Sequence, residues 1–117
     1  MYSKDMKSGE GLVIHLRPGF WEFLKEMIKL YEIVIFSNED MGFLSEVIRT
    51  IDPYNTYFPM FFGHEFMLTK ANGKYKDLNY INRNKKRLIV VDFDDKLYIN
   101  NNYNVIKMDK YDGETED

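Results

Sequence analysis

Three polar residues stand where an α/β chain could handle a phosphate. Ser37 follows the apolar run 32–36, Lys76 follows a glycine turn, and Asp92 closes the apolar run 87–91. A hydroxyl can hydrogen-bond a phosphate oxygen and an ammonium can neutralise its charge. A carboxylate can hold magnesium, a hard cation that prefers oxygen ligands. Phosphoryl transfer needs positioning, charge neutralisation and a nucleophile. These three residues supply the supporting parts, and none of them supplies the nucleophile. Each also has an ordinary role: a serine after a strand caps a helix, a lysine sits in solvent, and an aspartate ends a strand in a turn. Their order along the chain carries the weight.

The elements that would position them are legible from periodicity. Residues 12–16 read as a strand, and Pro18 in the following turn suits the start of a helix. Phe20, Phe23, Leu24, Met27, Ile28 and Tyr31 recur at three and four, which predicts a helix over 20–30. The continuous apolar runs 32–36 and 87–91 predict strands buried on both faces, as in parallel sheets. Phe43, Leu44, Val47, Ile48 and Ile51 predict a second helix over 41–51, stopped by Asp52-Pro53. Residues 54–75, dense in aromatics and methionine, read as an antiparallel hairpin insert because Asn72-Gly73 is a strong turn signal. A helical turn over 76–84, a loop over 100–102 and a short strand over 103–106 complete the pattern. Residues 1–11 read as loose and the tail from 112 as frayed. This order predicts a single α/β domain with an open parallel sheet flanked by helices, whose ligands gather beyond the carboxyl ends of the strands.

Composition narrows the classes of function. The 117 residues are 44% hydrophobic and 16% aromatic, which excludes disorder and allows one core. With no cysteine there is no disulfide or thiolate metal chemistry. The net charge of -3 disfavours a nucleic-acid partner and suits a basic one. The apolar runs are too short to span a bilayer, and no targeting segment is visible.

The segments HLRPGFWEFLKEM, YEIVIFSNE and GKYKDLNYINRNKKRLIVVD together resemble the haloacid-dehalogenase superfamily, in the branch of the RNA polymerase II C-terminal-domain phosphatases. The resemblance covers residues 12–117. In that branch a Y-x-K-D-L-like segment supplies a lysine and a strand end supplies an aspartate sixteen residues later, a spacing that Lys76 and Asp92 reproduce. Within the branch, Phe36-Ser37-Asn38-Glu39 and the ending Lys110-Tyr111-Asp112-Gly113 look like the receptor type that serves the mitochondrial inner-membrane presequence translocase. The phosphatases follow the late aspartate with asparagine, serine and proline, where this chain has Phe93-Asp94-Asp95.

The resemblance also implies an opening strand ending in D-x-D-x-(T/V), which carries the nucleophile and the general acid. Residues 1–11 hold no such motif. Asp92-Phe93-Asp94 imitates it, but Lys96 stands where threonine or valine is expected, and only 22 residues follow Asp95. In the family this strand lies between those ending at Ser37 and Asp92. Omitting three or four buried apolar side chains would cost about 5–10 kcal/mol. The expectation is therefore that another chain's strand, in a strand-swapped oligomer, or a displaced 12–16 segment fills the place.

Two functions follow from the resemblance. The first is a non-catalytic receptor domain facing the intermembrane space, with its membrane anchor outside these residues. Its partners would be basic amphipathic presequence peptides and a channel subunit of the translocase. Tyr57, Phe58, Met60, Phe61, Phe62, Phe66 and Met67 would form an adaptable apolar groove, and Glu39, Asp40 and Glu65 an acidic rim. Lys70 and Lys74 would meet an acidic partner segment. Plain core packing of the aromatic cluster is the competing expectation. The second function is a magnesium-dependent protein phosphatase whose nucleophile lies upstream. In the receptor reading, Ser37 and Lys76 are a vestigial phosphate site and Asp92 a vestigial metal ligand, with no cofactor required.

Overall fold

A computed structural model describes residues 2–7, 11–98 and 104–113. Two α-helices and eight short strands are described. Strand β1 (Tyr2–Lys7) and strand β2 (Gly11–Leu16) lead into helix α1 (Phe20–Met27) and strand β3 (Val34–Phe36). Helix α2 (Met41–Ile51) is followed by strands β4 (Met60–Phe62), β5 (Leu68–Lys70) and β6 (Gly73–Tyr75). Strands β7 (Ile89–Asp92) and β8 (Asn104–Lys107) complete the order. Single 3₁₀ turns at His64–Phe66, Leu78–Ile81, Lys85–Arg87 and Asp95–Leu97 join the later strands.

The strands pair two by two among the described residues. These residues form four two-stranded ribbons: β1–β2, β3–β4, β5–β6 and β7–β8. Ribbons β1–β2 and β5–β6 are antiparallel, and β7–β8 is parallel. Three expectations are corrected here. Residues 2–7, expected to be loose, form a strand paired with β2 from Tyr2↔Leu16 to Lys7↔Gly11. Backbone ladder bonds recruit this segment despite its polar sequence. Consequently the 12–16 segment is not a displaced filler, because its ladder partner is β1. The hairpin insert shrinks to Leu68–Tyr75, while β4 pairs with β3 and brings the Phe62 ring within 5.7 Å of Phe36, tilted to it. The expected helical turn over 76–84 appears at Leu78–Ile81, and the expected loop over 100–102 lies outside the described residues.

By contact the chain divides into two compact units. The first holds residues 1–34, 45–60 and 110–117. In it, Gly19 starts α1 with φ 84, a left-handed conformation that glycine adopts without strain. Phe20 and Leu24, one turn apart, bury the inner face of α1, and Phe20 lies 6.4 Å from the buried Phe58. The regular helix ends at Met27, three residues before the expected end. Its last turn closes with the Tyr31 N–H on the Met27 carbonyl at 2.8 Å, leaving Leu30 exposed. Asp52 ends α2 and is itself buried, accepting the N–H groups of Thr56, Tyr57 and Phe58 at 2.9–3.0 Å. One side chain thus folds the connection back, satisfying three backbone donors.

The second unit holds residues 35–44 and 61–109. Leu44, Leu78, Ile81 and Tyr98 are its buried apolar side chains. An aromatic series runs from Phe36 through Phe62 and Phe66 to Tyr80, with the last two contacts edge-on at 5.2 and 6.1 Å. Strand β7 is not buried on both faces as its sequence predicts: burial alternates, and Ile89 and Val91 are exposed.

Candidate functional site

Strand β6 ends at Tyr75, and the Lys76 N–H bonds the Leu97 carbonyl at 2.7 Å. This bond fixes Lys76 beside Tyr98, with which it forms an isolated parallel bridge. Its stem is buried, and its ammonium reaches the carboxylate at the end of β7: Lys76 Nζ donates to Asp92 Oδ2 at 2.9 Å. The Tyr98 hydroxyl donates to the same oxygen at 2.6 Å. Oδ1 accepts the N–H groups of Phe93 at 2.7 Å and Asp94 at 3.3 Å. The Lys76 ammonium also lies 5.9 Å from the Phe36 ring centre and 5.6 Å from that of Tyr98. The side chains of Lys76 and Asp92 are only 4% and 11% exposed, so solvent screens the pair weakly.

Burial alone would push the Asp92 carboxyl up. The Tyr98 hydrogen bond, the charge and hydrogen bond of Lys76, and the Asp94 N–H outweigh it and hold the carboxyl below its ordinary range. Tyr98 shifts the other way. Its burial, its bond to Asp92 and the negative charges of Asp92 and Asp94 push the phenol well above its ordinary value. The cluster is therefore a neutral phenol and a closed ion pair at neutral pH. Magnesium, which the resemblance implies for an active member, does not fit this donor set. Both Asp92 oxygens already accept two protein donors each, and no group of three or more His, Cys, Asp or Glu is gathered among the described residues.

Of the sequence-predicted phosphate residues, Lys76 and Asp92 meet. Ser37 serves its own loop: its N–H bonds the Phe62 carbonyl at 2.8 Å, and its Oγ accepts the Glu39 N–H at 3.0 Å. Tyr98 was missed by sequence reasoning. It reaches Asp92 because Asp94, whose Oδ1 accepts the Lys96 N–H, and the 3₁₀ turn Asp95–Leu97 reverse the chain, which no sequence period marks.

The three expected rim acids gather at the start of α2. Asp40 caps it, with Oδ1 accepting the Phe43 N–H at 2.8 Å. Glu65 aims both carboxylate oxygens at the Met41 N–H, each at 3.0 Å, and the Glu39 carbonyl accepts the His64 N–H at 2.7 Å. The Met41 N–H, the Glu65 backbone N–H and His64 together hold the Glu65 carboxyl below its ordinary value. Gly63 makes this approach possible, since a Cβ there would stand 2.8 Å from both the Glu39 carbonyl oxygen and the Met41 nitrogen.

The residues of the expected apolar groove divide between the two units, with Tyr57, Phe58 and Met60 in the first and Phe61, Phe62, Phe66 and Met67 in the second. Phe58 is a core residue at 1% exposure and is unavailable to a ligand. Tyr57 lies against Trp21 in the first unit, with tilted rings 5.6 Å apart. Met60 and Phe61 are half-buried in β4. Phe62 and Phe66 belong to the aromatic series of the second unit, and Met67 is half-buried beside them in sequence. Lys70 and Lys74 stand exposed on the hairpin.

Comparisons with known proteins bear on the family and the fold. Residues 2–117 match the model of the family described as NLI interacting factor-like phosphatase. The chain is 32% identical over 101 residues to the mitochondrial import inner membrane translocase subunit TIM50 of Candida glabrata, covering 86% of this chain and 21% of that protein. The Neurospora crassa subunit of the same name is 32% identical over 102 residues, covering 86% of this chain and 18% of that protein. The chain thus spans about a fifth of the length of these relatives. A solved structure of the fission yeast RNA polymerase II CTD phosphatase Fcp1, in a variant bound to beryllium fluoride, superposes with a TM-score of 0.73. It is 23% identical, and the match covers 96% of this chain and 31% of that one, so the haloacid-dehalogenase-like α/β fold is shared. With the lysine-to-aspartate spacing joined in space and the family model matched from residue 2 to residue 117, the chain belongs to the NLI interacting factor-like phosphatase family.

Proposed function

We infer that this chain is part of a non-catalytic receptor of the mitochondrial presequence translocase, with its domain in the intermembrane space. It binds basic amphipathic presequence peptides and a channel subunit. The observation that carries the reading is the closed Lys76–Asp92–Tyr98 cluster: the two residues a phosphatase would turn toward phosphate and metal are spent on each other. The similarity to TIM50 subunits supports the translocase, and no helix among the described residues is long and apolar enough to cross a membrane.

The peptide site is the acidic margin of α2. Glu39, Asp40 and Glu65 face a basic peptide there, and Phe66 and the half-exposed Tyr80 offer apolar edges beside Glu65 in the chain fold. Lys70 and Lys74 on the exposed hairpin suit an acidic stretch of the channel subunit.

Titration of a labelled presequence peptide tests this directly. Saturable binding in the micromolar range, about 8 kcal/mol, is expected, weakening as salt rises. Glu65→Gln should weaken it severalfold while keeping an oxygen for the Met41 N–H. Absence of saturation sinks the receptor reading. The phosphatase reading predicts hydrolysis of p-nitrophenyl phosphate with magnesium by a longer form that carries the upstream nucleophile, and none by these residues alone. Turnover that depends on Asp92 would replace the receptor with an enzyme.

A further inference from the structure

Gly63 is buried, and its N–H donates to a thioether: Met41 Sδ accepts it at 2.9 Å. Sulfur is a weak acceptor, so a buried backbone donor depends here on a group that oxidants change. The two residues also approach through other atoms. A Cβ on Gly63 would stand 2.8 Å from the Met41 nitrogen and 3.0 Å from its Cγ. The 3₁₀ turn His64–Phe66 continues from Gly63 and makes two further contacts with the start of α2. The His64 N–H bonds the Glu39 carbonyl at 2.7 Å, and both Glu65 carboxylate oxygens accept the Met41 N–H at 3.0 Å. Met41 thus holds residues 63–65 with its side chain and its backbone together.

Met41 is half-buried, which leaves part of the residue open to a molecule as small as hydrogen peroxide. We propose that Met41 is an oxidation site whose sulfoxide releases Glu65 from the start of α2. A sulfur lone pair attacks one peroxide oxygen and the O–O bond breaks. The proton on the transferred oxygen passes to the departing hydroxide, and water leaves. Sulfur is oxidised by two electrons, which the peroxide takes up, and the flexible apolar side chain becomes polar. The new oxygen is a stronger acceptor than the sulfur and stands one bond further from the Met41 backbone. Whether it captures the Gly63 N–H or displaces it, the Gly63 backbone must withdraw from a contact too close for one added carbon. The turn 64–66 withdraws with it, and Glu65 loses the Met41 N–H. Methionine sulfoxide reductases restore the thioether, so the change is reversible. Oxidation then also weakens the peptide site at the acidic margin of α2, a consequence that alone rests on the receptor reading.

Limited treatment of the whole chain with hydrogen peroxide tests the site, in a Met108→Leu background because Met108 is exposed. Peptide mapping should find the mass of one oxygen on Met41 while circular dichroism shows the fold retained. Amide exchange at residues 41 and 63–65 should speed up at least about tenfold, and methionine sulfoxide reductase should reverse it. Met41→Leu should show no peroxide-dependent change at residue 41. Met41→Gln, whose amide oxygen stands where the sulfoxide oxygen would, should show the fast exchange without peroxide. The proposal is overturned if Met41 stays unmodified until the chain unfolds, if oxidised Met41 leaves exchange unchanged, or if Met41→Leu shows the same acceleration. A labelled presequence peptide separates the two readings. Its affinity should fall severalfold on oxidation, whereas a chain that binds no peptide before oxidation refutes the receptor, and the exchange data still decide the oxidation site.

Discussion

Asp92 is held by four donors, and its stability contribution can be followed with pH. Its folded pKa lies below its ordinary 3.8. The unfolded chain therefore takes up the proton first, and the stabilisation is complete above that value and lost as pH falls through the lower folded one. Tyr98 gives the opposite limit. Its folded pKa lies above the ordinary 10.0, so its contribution is complete below that value and declines as pH rises beyond it. Urea melts from pH 2 to 11 should show a plateau with both flanks, and Tyr98→Phe should flatten the alkaline one. Tyr98→Phe should cost about 1.5–3 kcal/mol, as expected for a hydrogen bond to a charged group. Asp92→Asn, which leaves the buried Lys76 ammonium without its counter-charge, should cost about 3–5 kcal/mol. A smaller loss for Asp92→Asn than for Tyr98→Phe would contradict the ion pair as the centre of the cluster. The pairing of Lys76 with Asp92 was legible as a spacing in the sequence. Tyr98 was not, because its part depends on the chain reversal through Asp94, which no periodicity announces. Ser37 was legible only as a position, and its hydroxyl is used by the neighbouring Glu39 N–H.

Among the elements, periodicity located both helices, since Phe20, Leu24, Val47 and Ile48 repeat at helical spacing and are buried. It located β3 and β7 as apolar runs, but not their partners. Strand pairing is set by backbone ladders between distant segments, and the sequence of β4 resembles any aromatic core stretch. β1 escaped notice for the reverse reason, because a polar strand has no apolar alternation to read. Two local devices carry expected outcomes. Gly63 lets the β4 exit pass against the start of α2. Gly63→Ala must displace backbone atoms 2.8 Å away and should destabilise by about 1–3 kcal/mol, with loss of the Glu65 contact to the Met41 N–H. Asp52→Ala strands three backbone donors behind α2, at least one of them buried, and should cost about 2–3 kcal/mol. Thermal melts of the two variants, with amide exchange at residues 56–58, separate these effects. Rapid exchange there in Asp52→Ala but not in Gly63→Ala is the expected pattern.

For the molecule as a whole, a net charge of -3 from 19 acidic and 16 basic residues conceals two surfaces of opposite sign. Glu39, Asp40 and Glu65 collect at the start of α2, while Lys85, Lys86 and Arg87 follow one another in the 3₁₀ turn before β7. A presequence peptide held by the acidic group should lose affinity as salt rises, because exposed charges act only within a Debye length of about 8–10 Å. Glu65→Gln should lower that affinity severalfold, and reversal of Lys86 and Arg87 should leave it unchanged. Measuring the peptide against both variants at two salt concentrations decides the matter. If both variants change the affinity alike, a long-range field of the whole molecule governs binding. If only Glu65→Gln does, the charges at the start of α2 choose the peptide.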